Sequence, residues 1–261
     1  MIRLLTALLL ACAGAFAQAG NPVHSETGGL PVILTAPHGG LQDVPGCEER
    51  SPAGVRFVNR PDVRTDRLAR RIADELERLT GQAPYLVIAN FHRKYIDANR
   101  RAEEAYDDPG CAAAYEAYHA AVRGHVDALR AKFPHAMLFD IHGQSAFRGA
   151  ILRGTRHGGT VRALLARAGA PAVTGPDSVF GRFAAMGYTV MPPNDNAPTE
   201  RVETKNYAGG HTVDLYGSHR AQGIDAMQLE FGSDLREGAR LEQTAKDTAQ
   251  AITAFYRRFL R

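Results

Sequence analysis

The stretch VILTAPHGG, residues 32–40, decides the fold that this sequence predicts. Its first five residues are apolar or β-branched without alternation, which is typical of a strand buried on both faces of a sheet. Pro37 ends the strand, and His38 follows directly. Because polar side chains that follow buried parallel strands gather at one edge of the sheet, where ligands bind, His38 is a candidate functional residue.

Further apolar runs follow along the chain, and amphipathic stretches separate them. The runs predict strands at 85–91 (YLVIANF), 136–141 (AMLFDI), 151–152 and 227–231, and the amphipathic stretches predict helices at 62–79, 112–133, 160–168 and 237–259. In the first of these helices we expect Asp62 to be the N-cap and Gly81 to mark the end. This alternation predicts one α/β domain, residues 20–261, in which helices flank a mixed, mostly parallel sheet.

Composition and charge restrict the classes of protein to which the chain can belong. The 261 residues are 44% hydrophobic and 23% charged, as in ordinary soluble globular proteins. The net charge of +3 is small and the basic residues are scattered, so we expect no nucleic-acid partner. No apolar run approaches the length of about 18 residues that a membrane span requires, so we also expect no transmembrane segment.

The first 19 residues differ from the rest of the chain. A positive charge at Arg3 precedes a short apolar run and a series of small residues, which is the layout of a secretory signal peptide with cleavage after Ala17 or Ala19. We therefore expect an exported protein, periplasmic or secreted. Two alternatives stay open, namely lipid attachment at Cys12 and a buried N-terminal helix.

Removal of that segment would leave two cysteines, Cys47 and Cys111. Neither belongs to a CxxC motif, so neither indicates a metal or redox site. In an oxidising compartment they can pair, but the sequence leaves open whether they form a disulfide or remain thiols.

A second histidine, His142, directly follows the predicted strand 136–141 and, like His38, precedes a glycine. Two histidines at two strand ends are candidates for one zinc site, because zinc binds neutral imidazole and carboxylate and keeps one position open for water. For the third ligand we favour Asp62, at the start of a helix. The acidic residues that stay open as alternatives are Asp66, Asp43, Glu48 and Glu49.

The segment 92–100, HRKYIDANR, follows the second predicted strand. If it is extended, Arg93, Asp97 and Asn99 share one face. An arginine beside an asparagine suits the binding of a carboxylate, and Asp97 could hold the ring N–H of a metal-bound histidine. A surface cluster of salt bridges is the alternative interpretation.

Glu230 interrupts an otherwise apolar run. In MQLEF, residues 227–231, Gln228 and Glu230 face one way and the apolar residues face the other. A glutamate inside a buried strand is unfavourable unless it is paired or functional, and beside a metal site it would be the natural general base. Residues 192–216, which are rich in Pro, Gly, Asn and Thr, are interpreted as an active-site loop.

Several short motifs occur in a definite order along the chain. They are PHGG (37–40), DVRTDRL (62–68), DANR (97–100), DIHG (140–143), GGHT (209–212) with YG (216–217), and QLE (228–230). In this order they resemble the N-formylglutamate amidohydrolase family, which is related to zinc carboxypeptidases. The resemblance extends from about residue 32 to residue 230, most of the chain that follows the signal segment.

The resemblance implies a carboxypeptidase-like α/β fold and one zinc ion. Zinc carboxypeptidases place an acidic ligand three residues after the first histidine, but here that residue is Leu41, so the third ligand must come from elsewhere. The resemblance implies that His38 and His142 are zinc ligands together with an acidic third ligand, that Asp97 and Asp140 lie behind the histidines, and that Asp97 orients His38. Asn99 and Arg100 would bind the substrate carboxylate, Arg93 would contact the scissile carbonyl, and Glu230 would be the general base. Tyr216 and His211 would line the pocket.

We therefore expect a zinc-dependent hydrolase that cleaves an amide bond next to a free carboxylate in an N-acyl amino acid or a peptide. The alternatives are an exported metallo-carboxypeptidase that acts on cell-wall or other peptides, and a non-catalytic periplasmic protein that binds carboxylates. A serine hydrolase is disfavoured because the chain has no GxSxG motif. The sequence leaves the true substrate and the oligomeric state open.

Overall fold

A computed structural model describes residues 20–52 and 57–261 of the chain. The predicted signal segment, with Cys12, lies outside these residues, so export stays a prediction. Among the helices of the two described ranges, none has the length and apolar character needed to cross a membrane.

Within the described residues, seven strands form one sheet. They are β1 Val23–Glu26, β2 Val32–Ala36, β3 Tyr85–Ala89, β4 Met137–Gln144, β5 Ala150–Gly154, β6 Thr189–Met191 and β7 Asp225–Gly232. Their order across the sheet is β1-β3-β2-β4-β7-β5-β6. The strands β3, β2, β4 and β7 run parallel, β1 and β5 are antiparallel to their neighbours β3 and β7, and β6 is parallel to β5. The predicted mixed, mostly parallel sheet is confirmed.

The helices lie on both faces of this sheet. Their bounds are α1 Thr65–Thr80, α2 Ala102–Ala105, α3 Ala112–Lys132, α4 Arg162–Ala168, α5 Pro171–Thr174, α6 Val179–Ala185, α7 His211–Tyr216 and α8 Gly238–Phe259. Short 3₁₀ turns occupy Pro109–Cys111, Gly159–Val161 and Ser233–Arg236.

A hydrophobic core lies on each face of the sheet, between the strands and the helices, because the central strands are apolar on both faces. Every residue of β2 and β3 is buried. Leu34 of β2 packs in the core that contains Ile72 of α1 and Phe255 of α8. Its neighbour Ile33 points to the opposite face and packs in the core that contains Val122 of α3. The alternation of a strand thus distributes one apolar run over two layers.

Three local predictions are wrong. The strand predicted at 136–141 continues to Gln144, because β4 stays paired with β7 up to that residue, and His142 therefore lies inside the strand. The segment 92–100 is a series of turns and not an extended piece. The helix predicted from residue 62 begins at Thr65, and its N-cap is Arg64 in the left-handed region with φ 68°. The predicted end at Gly81, with φ 75°, is confirmed.

Cys47 and Cys111 form a disulfide, with 4.8 Å between their Cα atoms. The bond joins the loop that follows β2 to the 3₁₀ turn that precedes α3. It answers the question that the sequence left open about these cysteines.

Candidate metal site and catalytic centre

The polar residues that the sequence singled out converge at the carboxyl-terminal edge of the parallel strands. His38 lies two residues after β2, while His142 of β4 and Glu230 of β7 are paired in register near the ends of their strands. The turns after β3 bring Arg93 and Asp97 to the same edge. In open α/β sheets this edge is where ligands bind.

Three of these side chains form a compact buried group, which we call the metal group: His38, Asp62 and His142. Oδ2 of Asp62 lies 3.3 Å from Nδ1 of His38 and 3.1 Å from Nδ1 of His142. The candidate ligand atoms of the three residues all lie within 4.8 Å of one another. The backbone N–H of Gly143 also donates to Oδ2 of Asp62, at 3.1 Å. Asp62, the carboxylate favoured from the sequence, is thus the one that the structure brings to the histidines.

The other acidic candidates for the third ligand lie elsewhere. Asp43, Glu48 and Glu49 are exposed on the loop after β2, and Asp66 belongs to the first turn of α1. Among the described residues none of them joins the metal group.

A carboxylate lies behind each histidine of the metal group. Nε2 of His38 is 2.7 Å from Oδ1 of Asp97, and Nε2 of His142 is 2.8 Å from Oδ2 of Asp140. The hydroxyl of Thr35 donates to the other oxygen of Asp140, at 2.6 Å. When the imidazoles are neutral and donate Nε2–H to these carboxylates, their Nδ1 lone pairs face Asp62.

The metal group fits a metal ion. With both imidazoles neutral, two Nδ1 lone pairs and a carboxylate oxygen converge on one point, where a cation would take the place of a proton. Burial alone would lower the pKa of His142 and raise the pKa values of Asp62 and Asp97. The charges and hydrogen bonds of their neighbours reverse these shifts, so the pKa of His142 is raised and those of the two aspartates are lowered. Two imidazoles and a carboxylate are a donor set that zinc accepts.

Glu230 lies beside the metal group and is 5% exposed. Its Oε1 accepts a hydrogen bond from Nε2 of Gln228 at 2.7 Å, whereas its buried Oε2 has no hydrogen-bond partner in the described part of the chain. Burial raises the pKa of Glu230 to about 7; the charge of His142 opposes this rise, and that of Asp62 adds to it. A carboxylate with one free oxygen and a pKa near neutrality can accept a proton and return it.

The guanidinium of Arg93 is fixed next to the metal group. Its Nε and Nη2 donate to Oδ2 of Asp97 at 2.9 and 2.8 Å, and its Nη1 lies 3.4 Å from Oδ1 of Asp62. The contact with two nitrogens fixes the plane of the guanidinium. A second buried arginine, Arg50, donates to the backbone carbonyl of Arg93 at 3.0 Å and so supports the turn that carries it.

A cavity of about 810 Å³ opens in front of the metal group, and Asn99, Arg100 and His211 contribute to its walls. Oδ1 of Asn99 accepts the backbone N–H of Thr212 at 2.8 Å, and its Nδ2 lies 3.3 Å from Nε2 of His142. Nη1 of Arg100 donates to the carbonyl of Asn99 at 3.0 Å. These three predicted substrate-binding residues therefore face the space that a substrate would occupy.

Tyr216 lies beneath the cavity and not on its wall, so the expectation that it lines the pocket is corrected. It is 4% exposed, and its hydroxyl lies 3.0 Å from Nδ1 of His119 and donates to the carbonyl of the same residue at 3.0 Å. The reason is geometric. Tyr216 follows His211 by five positions in α7, a rotation of about 140° that turns the two side chains to different faces.

Two further residues of the centre were missed from the sequence as functional residues. Gln228 accepts the backbone N–H of Gly210 at 2.7 Å while its amide donates to Glu230, so it joins the loop to the candidate site. Arg236 lines the cavity and donates to backbone carbonyls of three separate segments. Strand alternation already placed Gln228 on the face of Glu230, but no local pattern indicates Arg236, which lies in a 3₁₀ turn.

Fold and site together define an α/β protein with a seven-stranded mixed sheet in the described ranges and a buried His-Asp-His group. The chain is similar to the crystal structure of N-formylglutamate amidohydrolase from Ralstonia eutropha JMP134, with 18% identity and a TM-score of 0.60 over 90% of this chain and 98% of that chain. It is also similar to a gene product from Agrobacterium tumefaciens, with 18% identity and a TM-score of 0.57 over 90% and 95% of the two chains.

No protein-family model matches the sequence, and no curated protein matches it. At this level of identity the two solved structures show the fold. They confirm, for the fold, the resemblance on which the sequence analysis relied.

Proposed function

We propose that the protein is a zinc-dependent hydrolase that cleaves an amide bond next to a free carboxylate, in an N-acyl amino acid or a peptide. The observation that carries the proposal is the position of Glu230, buried and with a free carboxylate oxygen, beside the metal group. The likeness to a structure described as an N-formylglutamate amidohydrolase supports the same reaction class.

His38, Asp62 and His142 would hold the zinc ion. Zinc supplies Lewis acidity, which activates water and polarises a carbonyl. Glu230 takes a proton from the attacking water through Oε2, and the water oxygen bonds to the carbonyl carbon. When the C–N bond breaks, Glu230 returns the proton to the leaving amine, and the acyl group departs as a carboxylate. Burial, which raises the pKa of Glu230 to about 7 in the metal-free protein, favours its service in both transfers.

Arg93 and the residues of the cavity wall orient the substrate. The Nη1 of Arg93 is the nitrogen of its guanidinium that does not contact Asp97, and it is positioned to stabilise negative charge on the carbonyl oxygen. Arg100 and the amide of Asn99 bind the free carboxylate of the substrate, since both face the cavity.

Substitution of the general base tests this proposal. We expect the Glu230→Gln variant to bind one equivalent of zinc, measured by elemental analysis, and to lose at least about a hundredfold in kcat on N-acyl amino acids and short peptides. Glu237→Gln is the matched control, because Glu237 also lines the cavity but pairs with Arg64 at 3.7 Å. Full activity in Glu230→Gln, or absence of zinc from the purified parent, would contradict the proposal.

We further propose that the protein is exported, as the sequence of residues 1–19 predicts. The disulfide between Cys47 and Cys111 supports this location, because such bonds persist in oxidising compartments. Mass spectrometry of the protein from a periplasmic or culture-medium fraction tests it. The expected mass lacks the residues before Gln18 or Gly20, whereas an intact chain in the cytoplasmic fraction would refute export.

A further inference from the structure

The cavity in front of the metal group is larger than an N-acyl amino acid requires. Its volume of about 810 Å³ lies in the upper part of the range of about 300–1,000 Å³ that is typical of sites for drug-sized ligands. A second hollow of about 540 Å³ shares Arg101, His211 and Asp214 with this cavity and continues to Arg220 and Gln222. The two together form a groove that leads away from the metal group.

The groove is basic, and part of its charge has no partner. Eight Arg or Lys side chains line the main cavity against five carboxylates. Five of the cations make no ion pair with a carboxylate within the described ranges: Arg236, which donates to backbone carbonyls, and Arg60, Arg100, Arg101 and Lys205. A bound zinc ion would add two further positive charges, so the site attracts a ligand that carries several negative charges.

These unpaired cations lie on both walls of the cavity. Arg60 precedes Asp62 on the wall where Arg64 pairs with Glu237. Arg100 and Arg101 follow Asn99 on the wall that is built against α7, where the carboxamide of Asn99 meets the backbone N–H of Thr212. The metal group joins the two walls, because it includes Asp62 and because His142 contacts Asn99 at 3.3 Å.

We propose that the physiological substrate is a chain of acidic amino acids, joined by amide bonds, that lies along this groove and extends to both sides of the metal group. The inference rests on the proposed hydrolase function and names its substrate class. The carboxylates of successive residues pair with Arg60 on one wall, with Arg100 and Arg101 on the other, and with Lys205 of the loop that precedes α7. An amide bond inside the chain is thereby placed at Glu230 and the metal group.

Binding to an inactive variant tests the inference separately from catalysis. The probes are N-acetylated hexamers of glutamate, in α-linked and γ-linked forms, and a hexamer of glutamine as the neutral control. Fluorescence anisotropy with the full-length Glu230→Gln variant should show binding of at least one acidic hexamer about tenfold tighter than that of the neutral hexamer, the effect that one or two charge-assisted contacts make. The difference should decrease as the salt concentration rises.

A second substitution assigns the effect to the groove. Arg101→Gln in the Glu230→Gln background should remove most of the preference for the acidic hexamer, because Arg101 lines both hollows. Arg257→Gln is the matched control, since it removes one exposed arginine from the last turn of α8. Equal binding of acidic and neutral hexamers, or equal effects of the two substitutions, would overturn the inference.

The outcomes separate this inference from the proposed function. If the zinc-loaded parent hydrolyses N-acetylglutamate but the variant shows no preference for acidic hexamers, the substrate inference fails and the hydrolase function stands. If an acidic hexamer binds with the expected preference and the parent hydrolyses none of the compounds, the hydrolase function fails and the groove is a binding site for acidic chains. The α-linked and γ-linked hexamers identify which backbone the groove accepts.

Discussion

Two buried carboxylates, Asp97 and Asp140, decide which nitrogen of each histidine faces the candidate metal position. Each accepts a hydrogen bond from Nε2, at 2.7 Å on His38 and 2.8 Å on His142. Such partners fix the orientation of the ring and the position of its proton. Thr35, which donates to Asp140 at 2.6 Å, extends this support into β2. The geometry of the metal group is therefore set by residues that would not themselves touch the metal.

Substitution of Arg93 tests whether the fixed geometry of its guanidinium contributes to catalysis. Arg93→Lys keeps the positive charge but loses the contact of two nitrogens with Asp97, which holds Nη1 toward the metal group. We expect kcat to fall by about a hundredfold or more, with zinc content unchanged, as when one donor to a developing oxyanion is removed. Steady-state kinetics checks this, with Arg64→Lys on the cavity wall as control. A change confined to KM would contradict the role in catalysis.

His119 gives the stability of the protein a dependence on pH. Burial, with His211 adding, lowers the pKa of His119 from its ordinary value of 6.5 to about 4. Between these values the unfolded chain binds the proton and the folded chain does not, so the free energy of unfolding falls as pH is lowered from about 6.5 to 4. The contribution is about 3 kcal/mol over this window.

Denaturant unfolding at pH 7 and pH 5 checks the His119 prediction in metal-free protein. His119→Gln should be less stable than the parent at pH 7, because the ring bonds Ala98 and Tyr216. Its further loss of stability between pH 7 and pH 5 should be smaller than that of the parent. Equal losses in the two proteins would show that His119 is protonated in the folded state.

The residues of the site differ in how far the sequence could indicate them. His38 and Glu230 stand at or in apolar strands, where a polar side chain is conspicuous. Arg50 and Arg236 lie in a loop and a 3₁₀ turn, and they reach the centre only through contacts that the folded chain creates. Local patterns therefore predict the residues that strands carry, and long-range packing decides the rest.

At the scale of elements, a buried carboxylate is one of the contacts that attach the long segment before α7 to the sheet. Glu203 accepts the backbone N–H groups of Thr155 and His157, at 3.0 and 2.8 Å, and the Thr155 hydroxyl. His157 and the preceding Arg156 have φ of 56° and 50°, a left-handed turn that points these N–H groups at one anion. The fully buried Arg153 lies 3.5 Å from Glu203 and supplies the opposite charge. This contact holds the part of the loop that lines the cavity.

Removal of that charge should loosen the loop. We expect Glu203→Gln to lower the free energy of unfolding by about 3 kcal/mol, because Arg153 is left as a buried charge without a counter-charge. Hydrogen exchange in residues 199–210 should accelerate, and KM should rise because Lys205 belongs to the cavity wall. Glu200→Gln, an exposed substitution in the same loop, is the control. Unchanged exchange in Glu203→Gln would refute the attachment.

The elements that the sequence predicted are those long or apolar enough to show a period. The sequence predicted the strands β2, β3, β4, β5 and β7 and the helices α1, α3, α4 and α8, with errors of a few residues at their ends. Missed were β1 and β6, of four and three residues, and the short helices α2, α5, α6 and α7. Elements of this length contain at most two full periods, and tertiary contacts stabilise them.

At the scale of the whole molecule, the disulfide fixes a large part of the chain. Cys47 and Cys111 are separated by 64 positions, and loss of a bond that closes a loop of this size should lower the free energy of unfolding by about 4 kcal/mol. The variant Cys47→Ser with Cys111→Ser should show this decrease in urea unfolding followed by circular dichroism. The parent treated with reductant should approach the variant, and equal stability of all three would contradict the prediction.

For the sheet, the sequence predicts the type but not the order of the strands. Apolar runs without alternation indicated a mostly parallel sheet with helices on both faces, and this is confirmed. The order β1-β3-β2-β4-β7-β5-β6 was not predicted, because it depends on which helices cross between strands and on the sides they cover. The position of Glu230 next to His142 follows from that order, since β7 lies beside β4.

The disulfide between Cys47 and Cys111 affects how the protein responds to proteolytic cleavage. Asp62, Arg93 and Asp97 lie inside this loop, whereas His142 and Glu230 lie outside it. A single cut between residues 48 and 110 would leave two fragments that remain joined through sulfur. Such a nicked protein keeps every residue of its centre in one molecule, and only reduction would separate the acid that faces the metal position from one of its histidines.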